Sequence, residues 1–358
     1  MCTSGTAEFT IERLEPSENC QPTPEPSESQ VPERNNGNKM ILPLSSVDME
    51  DVQLTLDRMR EKESTIYKRD EVSDELVALW RRMLIEWMFY VVDYCKLQRQ
   101  SVAAAAFFLD VAMAKGLCIS REEHQLAAAT ALQLALKTFD IAVIKLEKLV
   151  NLGRGQFTED DVAKMEMKII REMSWMLHPP STYCFLRQYE RLIPAAVSES
   201  AREMIDEVTK LVAELTVLED QYIRFDPSVL GFATMLLGLE MIPENVIPVY
   251  LRQCFLVRMS AVANLDSSSP VVLEAFDCLR ESLDNSNKLH DVLDTIVSKT
   301  GAFDSAEDAL DKYSKHSRGD SVLAGLHHSP RDVKVRIGRG GSFLSASSSS
   351  LSPADFET

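Results

Sequence analysis

From about residue 46 to residue 300 the apolar positions of the chain recur at three- and four-residue spacing, the period of an amphipathic helix. A short amphipathic segment at about 47–63 comes first. Ser73 is placed as the N-cap of a long helix that collects Leu76, Trp80, Met83, Leu84, Trp87 and Val91 on one face. The next helix, Ser101 to Lys115, is rich in alanine and can approach several neighbours closely, with Gly116 placed to end it. Ser120 and Glu123 have capping-box spacing and open a third helix through HQLAAATALQLALK, apolar nearly all round and so expected at the centre of a bundle. A fourth is expected over IAVIKLEKLVNLG, ending at Gly153. A fifth, capped by Thr158 and Asp161, is expected to run until His178-Pro179-Pro180 stops it.

Beyond the double proline the same period predicts about five more helical stretches, at 181–195, 198–224, 226–242, 243–264 and 269–299. One of them, PSVLGFATMLLGLEMI, is again apolar on almost every side. No strand alternation or hairpin turn is evident. The pattern implies an all-α protein of two tandem five-helix bundles. The expected division is a Pro/Glu/Ser/Thr-rich disordered tail at 1–45, bundles at 46–178 and 179–300, and a mostly disordered Ser/Arg/Gly-rich tail at 301–358.

Composition narrows the function. With 38 basic and 55 acidic residues the net charge is −17, which argues against nucleic acid as the ligand, since phosphate binding needs a basic surface. The seven cysteines are scattered, with no CxxC pair or Cys/His cluster, so neither a disulfide framework nor a metal site is expected. No secretory signal and no apolar run near the roughly 20 residues of a membrane span are seen, so the nucleus or cytoplasm is expected and a membrane is not. A phosphate-binding glycine loop, an HExxH motif and a nucleophile–base pair are missing, so no catalysis and no cofactor are expected.

The motifs resemble the cyclin family. Trp80-Arg81-Arg82-Met83-Leu84-Ile85-Glu86-Trp87 is similar to the M-R-A-I-L-V-D-W that opens the cyclin box, and Tyr94-Cys95-Lys96-Leu97-Gln98 to the link that follows it. Phe108-Leu109-Asp110 stands where cyclins end a helix in Y-I-D-R-F-L. Gln125-Leu126 through Lys137-Thr138-Phe139-Asp140 resembles the central helix, Val162 through Trp175-Met176-Leu177 the fifth, and Ala213-Glu214-Leu215-Thr216-Val217-Leu218-Glu219 a late helix of the second box.

The resemblance implies a regulatory subunit, not an enzyme, that binds and activates a cyclin-dependent protein kinase in cell-cycle control. It implies kinase binding through Lys137 and Glu166, with Phe139 and Asp140 beside them where cyclins carry an aromatic and two acids. It implies a structural pair of Arg81 with Asp110, Leu126 in the core, and a docking groove for Arg/Lys-x-Leu peptides formed by Trp80, Met83, Leu84, Trp87 and Gln125. The acid expected three residues after Trp87 is Tyr90, so the cationic half of such a peptide loses its partner. Thr23, Ser329 and Ser352 each precede proline and are candidate phosphosites. No R-x-x-L destruction box occurs in residues 1–46 and no K-E-N anywhere. Two further readings stay open: a cyclin-fold scaffold that no longer activates a kinase, and a transcription adaptor built on the same pair of bundles.

Overall fold

The computed structural model describes residues 46–68, 75–140, 144–153, 155–286 and 288–300, which all belong to one compact unit. The Ser73 cap, both tails and the candidate phosphosites Thr23, Ser329 and Ser352 lie outside the described residues. Among the described residues the regular structure is entirely helical. A leading helix α1 (Ser46–Thr65) precedes α2 (Glu75–Tyr94), α3 (Ser101–Ala114), α4 (Arg121–Phe139), α5 (Leu146–Leu152) and α6 (Glu159–Glu172). Then follow α7 (Thr182–Glu190), α8 (Glu199–Leu218), α9 (Pro227–Met241), α10 (Val249–Arg258), α11 (Pro270–Asp284) and α12 (Lys288–Thr300).

Local chemistry accounts for the boundaries. Ser120 with Glu123, and Thr158 with Asp161, form reciprocal capping boxes at the starts of α4 and α6. Gly116 adopts φ +65° just after α3, a conformation in which a Cβ is costly. Alanines 103–106 of α3 and 127–129 of α4 are buried, which lets these two helices pack closely at the centre of the first set. Helix α9 plays that part in the second set, buried from Pro227 to Leu239 and packed on α7, α8 and α11. A Cβ on Gly231 would sit 3.1 Å from the Cβ of Phe185, and one on Gly238 only 2.8 Å from Thr209 Cγ2. Phe108, Phe185, Phe232 and Phe255 are fully buried, each contributing roughly 1.5–3 kcal/mol by leaving water.

Several helices are shorter than the periodicity predicts, and in each case something competes for the backbone. Among the described residues of the fourth, helix covers Leu146–Leu152; just before it the buried Gln133 amide donates to the Ile144 carbonyl at 2.9 Å, which competes with a helical path there. The fifth ends at Glu172, well before the double proline, since Ser174 and Trp175 take left-handed φ values of 48° and 65°. The stretch 198–224 breaks at Glu219, where the Leu218 carbonyl accepts from Arg81 at 3.1 Å, and resumes as a 3-10 turn. Residues 243–248 are not helical: Pro243 and Pro248 interrupt them. The buried Arg252 guanidinium caps the region by donating to the carbonyls of Leu239, Ile242 and Ile247 at 2.5–2.9 Å. The stretch 269–299 is two helices, parted at Asn285–Ser286.

Charged side chains tie the two sets together. Arg81, only 1% exposed, pairs with Asp110 at 2.6 and 3.1 Å and reaches across to α8 through Leu218. Arg99 grips the buried Glu214 with two bonds of 2.6 and 2.7 Å, and Lys288 binds the same carboxylate. Helix α1 precedes the first set in sequence but packs on α7 and on the π turn Met259–Ala263, where Arg60 donates to the Ala263 carbonyl at 2.6 Å.

Candidate partner-binding site

Lys137 lies in the last turn of α4, where the helix dipole favours a cation. Its ammonium donates to both carboxylate oxygens of Glu166 on α6, each at 2.8 Å. The pair is on the surface, with Lys137 43% and Glu166 19% exposed, so it adds little stability, about 0–1 kcal/mol. It leaves two charged groups of opposite sign side by side and facing water.

Exposed apolar side chains follow both residues along the chain. Phe139 ends α4, is exposed, and packs against the His178 ring at 5.4 Å, which joins the end of α4 to the loop after α6. The His178 amide donates to the hydroxyl of Tyr67 at 3.3 Å, and the buried Tyr67 ring meets Phe107 edge-on. In the loop between α6 and His178, Trp175 is 67% exposed and Met176 is exposed as well. The Ser174 and Trp175 amides donate to the Arg171 and Ile170 carbonyls at 2.9 and 3.0 Å and close the helix; Ser174 occupies the left-handed position that glycine ordinarily takes, and Trp175 after it is left-handed as well. For a bulky side chain that conformation is strained, and such strain clusters at functional sites. The sequence reading placed Trp175 in the fifth helix; its exposure and backbone conformation are visible only in three dimensions. Asp140 caps the end of α4 and accepts from the Gln98 amide at 3.2 Å, so its carboxylate is engaged within the protein.

The residues grouped as a docking groove divide. Leu84 is buried in the core, while Trp80, Met83, Trp87 and Gln125 are half-buried. Trp80 packs edge-on against His124 at 5.2 Å; His124 is buried and donates from Nδ1 to the Ser120 carbonyl at 2.7 Å. Leu126 is half-buried and packed against the core. Among the described residues no group of three or more His, Cys, Asp or Glu side chains could hold a metal ion. No described helix is long and apolar enough to cross a membrane.

Among the described residues the protein is all-helical, with the Lys137–Glu166 pair on its surface, Phe139 exposed at the end of α4, and Trp175 and Met176 exposed in the loop after α6. Residues 53–178 match the family "Cyclin, N-terminal domain". Relatives include Cyclin-A1-4 of Oryza sativa subsp. japonica, 27% identical over 159 residues, covering 44% of this chain and 44% of that protein. The G2/mitotic-specific cyclin-A of Drosophila melanogaster is 27% identical over 167 residues, covering 45% of this chain and 33% of its own length. These matches span less than half the length of the relatives. Among solved structures, a viral cyclin from herpesvirus saimiri superposes with a TM-score of 0.52 at 14% identity, over 68% of this chain and 99% of that one. Its likeness shows the fold. Residues 53–178 thus carry the likeness to cyclins, which the relatives share over about half of the chain.

Proposed function

We propose that the chain is a regulatory subunit, without a catalytic centre of its own, that binds and activates a cyclin-dependent protein kinase in cell-cycle control, in the nucleus or cytoplasm. The observation that carries this reading is the surface pair Lys137–Glu166, which joins α4 to α6, with exposed Phe139 two residues further along α4. Lys137 offers three donors to the carbonyls of a partner backbone, and Glu166 accepts from its amides. Exchanging their mutual bonds for bonds to a partner costs little, because an exposed pair is worth so little alone. Phe139, Trp175 and Met176 then supply apolar area, and tryptophan is the side chain most often dominant in such interfaces.

Activation follows if these contacts fit the kinase's active conformation better than its inactive one, since a ligand shifts an equilibrium only by its difference in affinity. Moving a kinase from about 1% to about 99% active requires roughly 5.5 kcal/mol of difference. One pair of charges is insufficient, so the apolar neighbours are required. The half-buried residues of α2 are assigned to docking leucine-containing peptides of the kinase's substrates.

The test is capture of kinase from a cell extract by the full chain and by a Lys137→Glu, Glu166→Lys variant, which rebuilds the ion pair with its polarity reversed. The variant should keep its helix content and Tm but lose kinase capture. Undiminished capture sinks this use of the pair. Kinase that is bound but stays inactive supports the scaffold reading instead.

A further inference from the structure

Helix α6 runs out in Arg171-Glu172-Met173-Ser174-Trp175, a segment exposed at every position except Met173. Ser174 and Trp175 follow one another in the left-handed region, at φ 48° and 65°, and the chain from Met176 to Ser181 is irregular. Residues other than glycine hold that conformation at a steric cost, so this end opens more readily than the turns before it. Arg171 stands three positions before Ser174. Among the described residues no other serine or threonine has an arginine at that spacing. A guanidinium so placed can be gripped by a carboxylate of another enzyme through two parallel bonds, which brings the hydroxyl three residues on into a fixed position. A protein kinase takes its substrate as an extended strand. The strained pair and the irregular chain after it favour that opening, and the buried Met173 opposes it.

We propose that Ser174 is a phosphorylation site for an arginine-directed protein kinase, separate from the cyclin-dependent kinase, and that its phosphate turns partner binding off. The Ser174 Oγ attacks the γ-phosphorus of ATP. An Oγ–P bond forms as the bond to the β-phosphate oxygen breaks, ADP leaves, and the hydroxyl proton passes to a base of the modifying enzyme. The product sets about two negative charges at the carbonyl end of α6, where the helix dipole is already negative, and beside the exposed Glu172. Arg171 offsets part of that charge. Trp175, the next residue, then enters an apolar pocket on a partner only by drawing the phosphate out of water. The switch rests on the proposed use of Trp175 in kinase binding; the modification itself does not.

The test treats the full chain with ATP and a purified calmodulin-dependent protein kinase, an enzyme class that selects arginine at this spacing. Ser321 and Ser342, outside the described residues, also follow an arginine by three positions, so the chain used carries Ser321→Ala and Ser342→Ala. Intact mass and peptide mapping should show phosphate on Ser174. Arg171→Gln should slow its incorporation at least tenfold with Tm unchanged, Arg171 being exposed. The phosphorylated chain should bind the cyclin-dependent kinase at least tenfold more weakly, and Ser174→Ala should keep its binding through the same treatment. No phosphate at Ser174, or incorporation indifferent to Arg171→Gln, overturns the site. Undiminished kinase binding by the phosphorylated chain overturns the switch. Incorporation is measured with no cyclin-dependent kinase present, so failure of the site is distinguishable from failure of the kinase reading.

Discussion

The carboxylate of Glu63, near the end of α1, accepts hydrogen bonds from the hydroxyl and the amide of Ser228, at 2.5 and 3.0 Å. Ser228 lies in the first turn of α9, whose Asp226 cap makes no side-chain bond of its own, so a residue from the far end of the chain serves that helix start. Burial pushes the Glu63 carboxyl up from 4.5 to about 7; the Ser228 bonds and Arg60 oppose the rise and Asp226 adds to it.

A pH dependence follows with a definite sign. Between pH 4.5 and 7 the folded protein holds a proton at Glu63 that the unfolded chain has released. The resulting stability is fully present below 4.5 and is lost as pH rises through 7, an effect on the order of 3 kcal/mol. Glu190, also raised to about 7 by burial and by Asp206, acts in the same direction. Tm measured from pH 5.5 to 8 should fall for the natural chain and fall less for Glu63→Gln, which keeps an acceptor for Ser228 without the titration. Parallel curves for the two forms would remove Glu63 as the cause.

Arg81 gives a prediction about buried charge. Arg81→Ala leaves Asp110 buried without its partner and frees the Leu218 carbonyl, so it should destabilise the protein by about 3–5 kcal/mol in urea unfolding. Replacing both partners, with Arg81→Met and Asp110→Leu, should cost far less, because no uncompensated charge remains. If the double variant is as unstable as the single one, the bond to Leu218 outweighs the ion pair.

The helices were legible where local signals decide them. Both capping boxes, the Gly116 stop and the all-apolar central helices can be read from residue types and spacing alone. The missed boundaries are set by partners distant in sequence. Arg81 takes the carbonyl at which α8 ends, Gln133 holds Ile144 out of α5, and no periodicity announces either contact. Lys137 and Glu166 were found through resemblance, yet their mutual pairing and the exposure of Trp175 depend on how α4 and α6 pack. Leu84 and Trp87 share one sequence pattern, but one faces the core and the other its edge, and helical spacing cannot separate them at that resolution.

Trp175 sets stability against binding. At φ 65° glycine has no steric penalty, so Trp175→Gly should leave stability unchanged or raise it by up to about 1 kcal/mol. The same change removes a large exposed apolar side chain from the loop after α6 and should weaken kinase binding at least tenfold by surface plasmon resonance. A clear loss of stability would mean that the Trp175 side chain serves packing. Unchanged binding would take it out of the interface.

The approach of α8 to α9 can be tested in the same double-variant manner. Gly238→Ala introduces a Cβ 2.8 Å from Thr209 Cγ2, inside a region with no room to shift cheaply, and should cost about 1–3 kcal/mol. Thr209→Ser removes that methyl but keeps a hydroxyl that can donate to the Ile205 carbonyl, as Thr209 does at 2.7 Å. Alone it should be mildly destabilising, since it leaves a small void. Combined with Gly238→Ala the new methyl fills that void, so the double variant should be more stable than the sum of the two single changes implies. A coupling of at least about 0.5 kcal/mol in the cycle is expected for residues in direct contact. Strict additivity would show that the backbones of α8 and α9 move apart instead, and that the glycine is not what sets their separation.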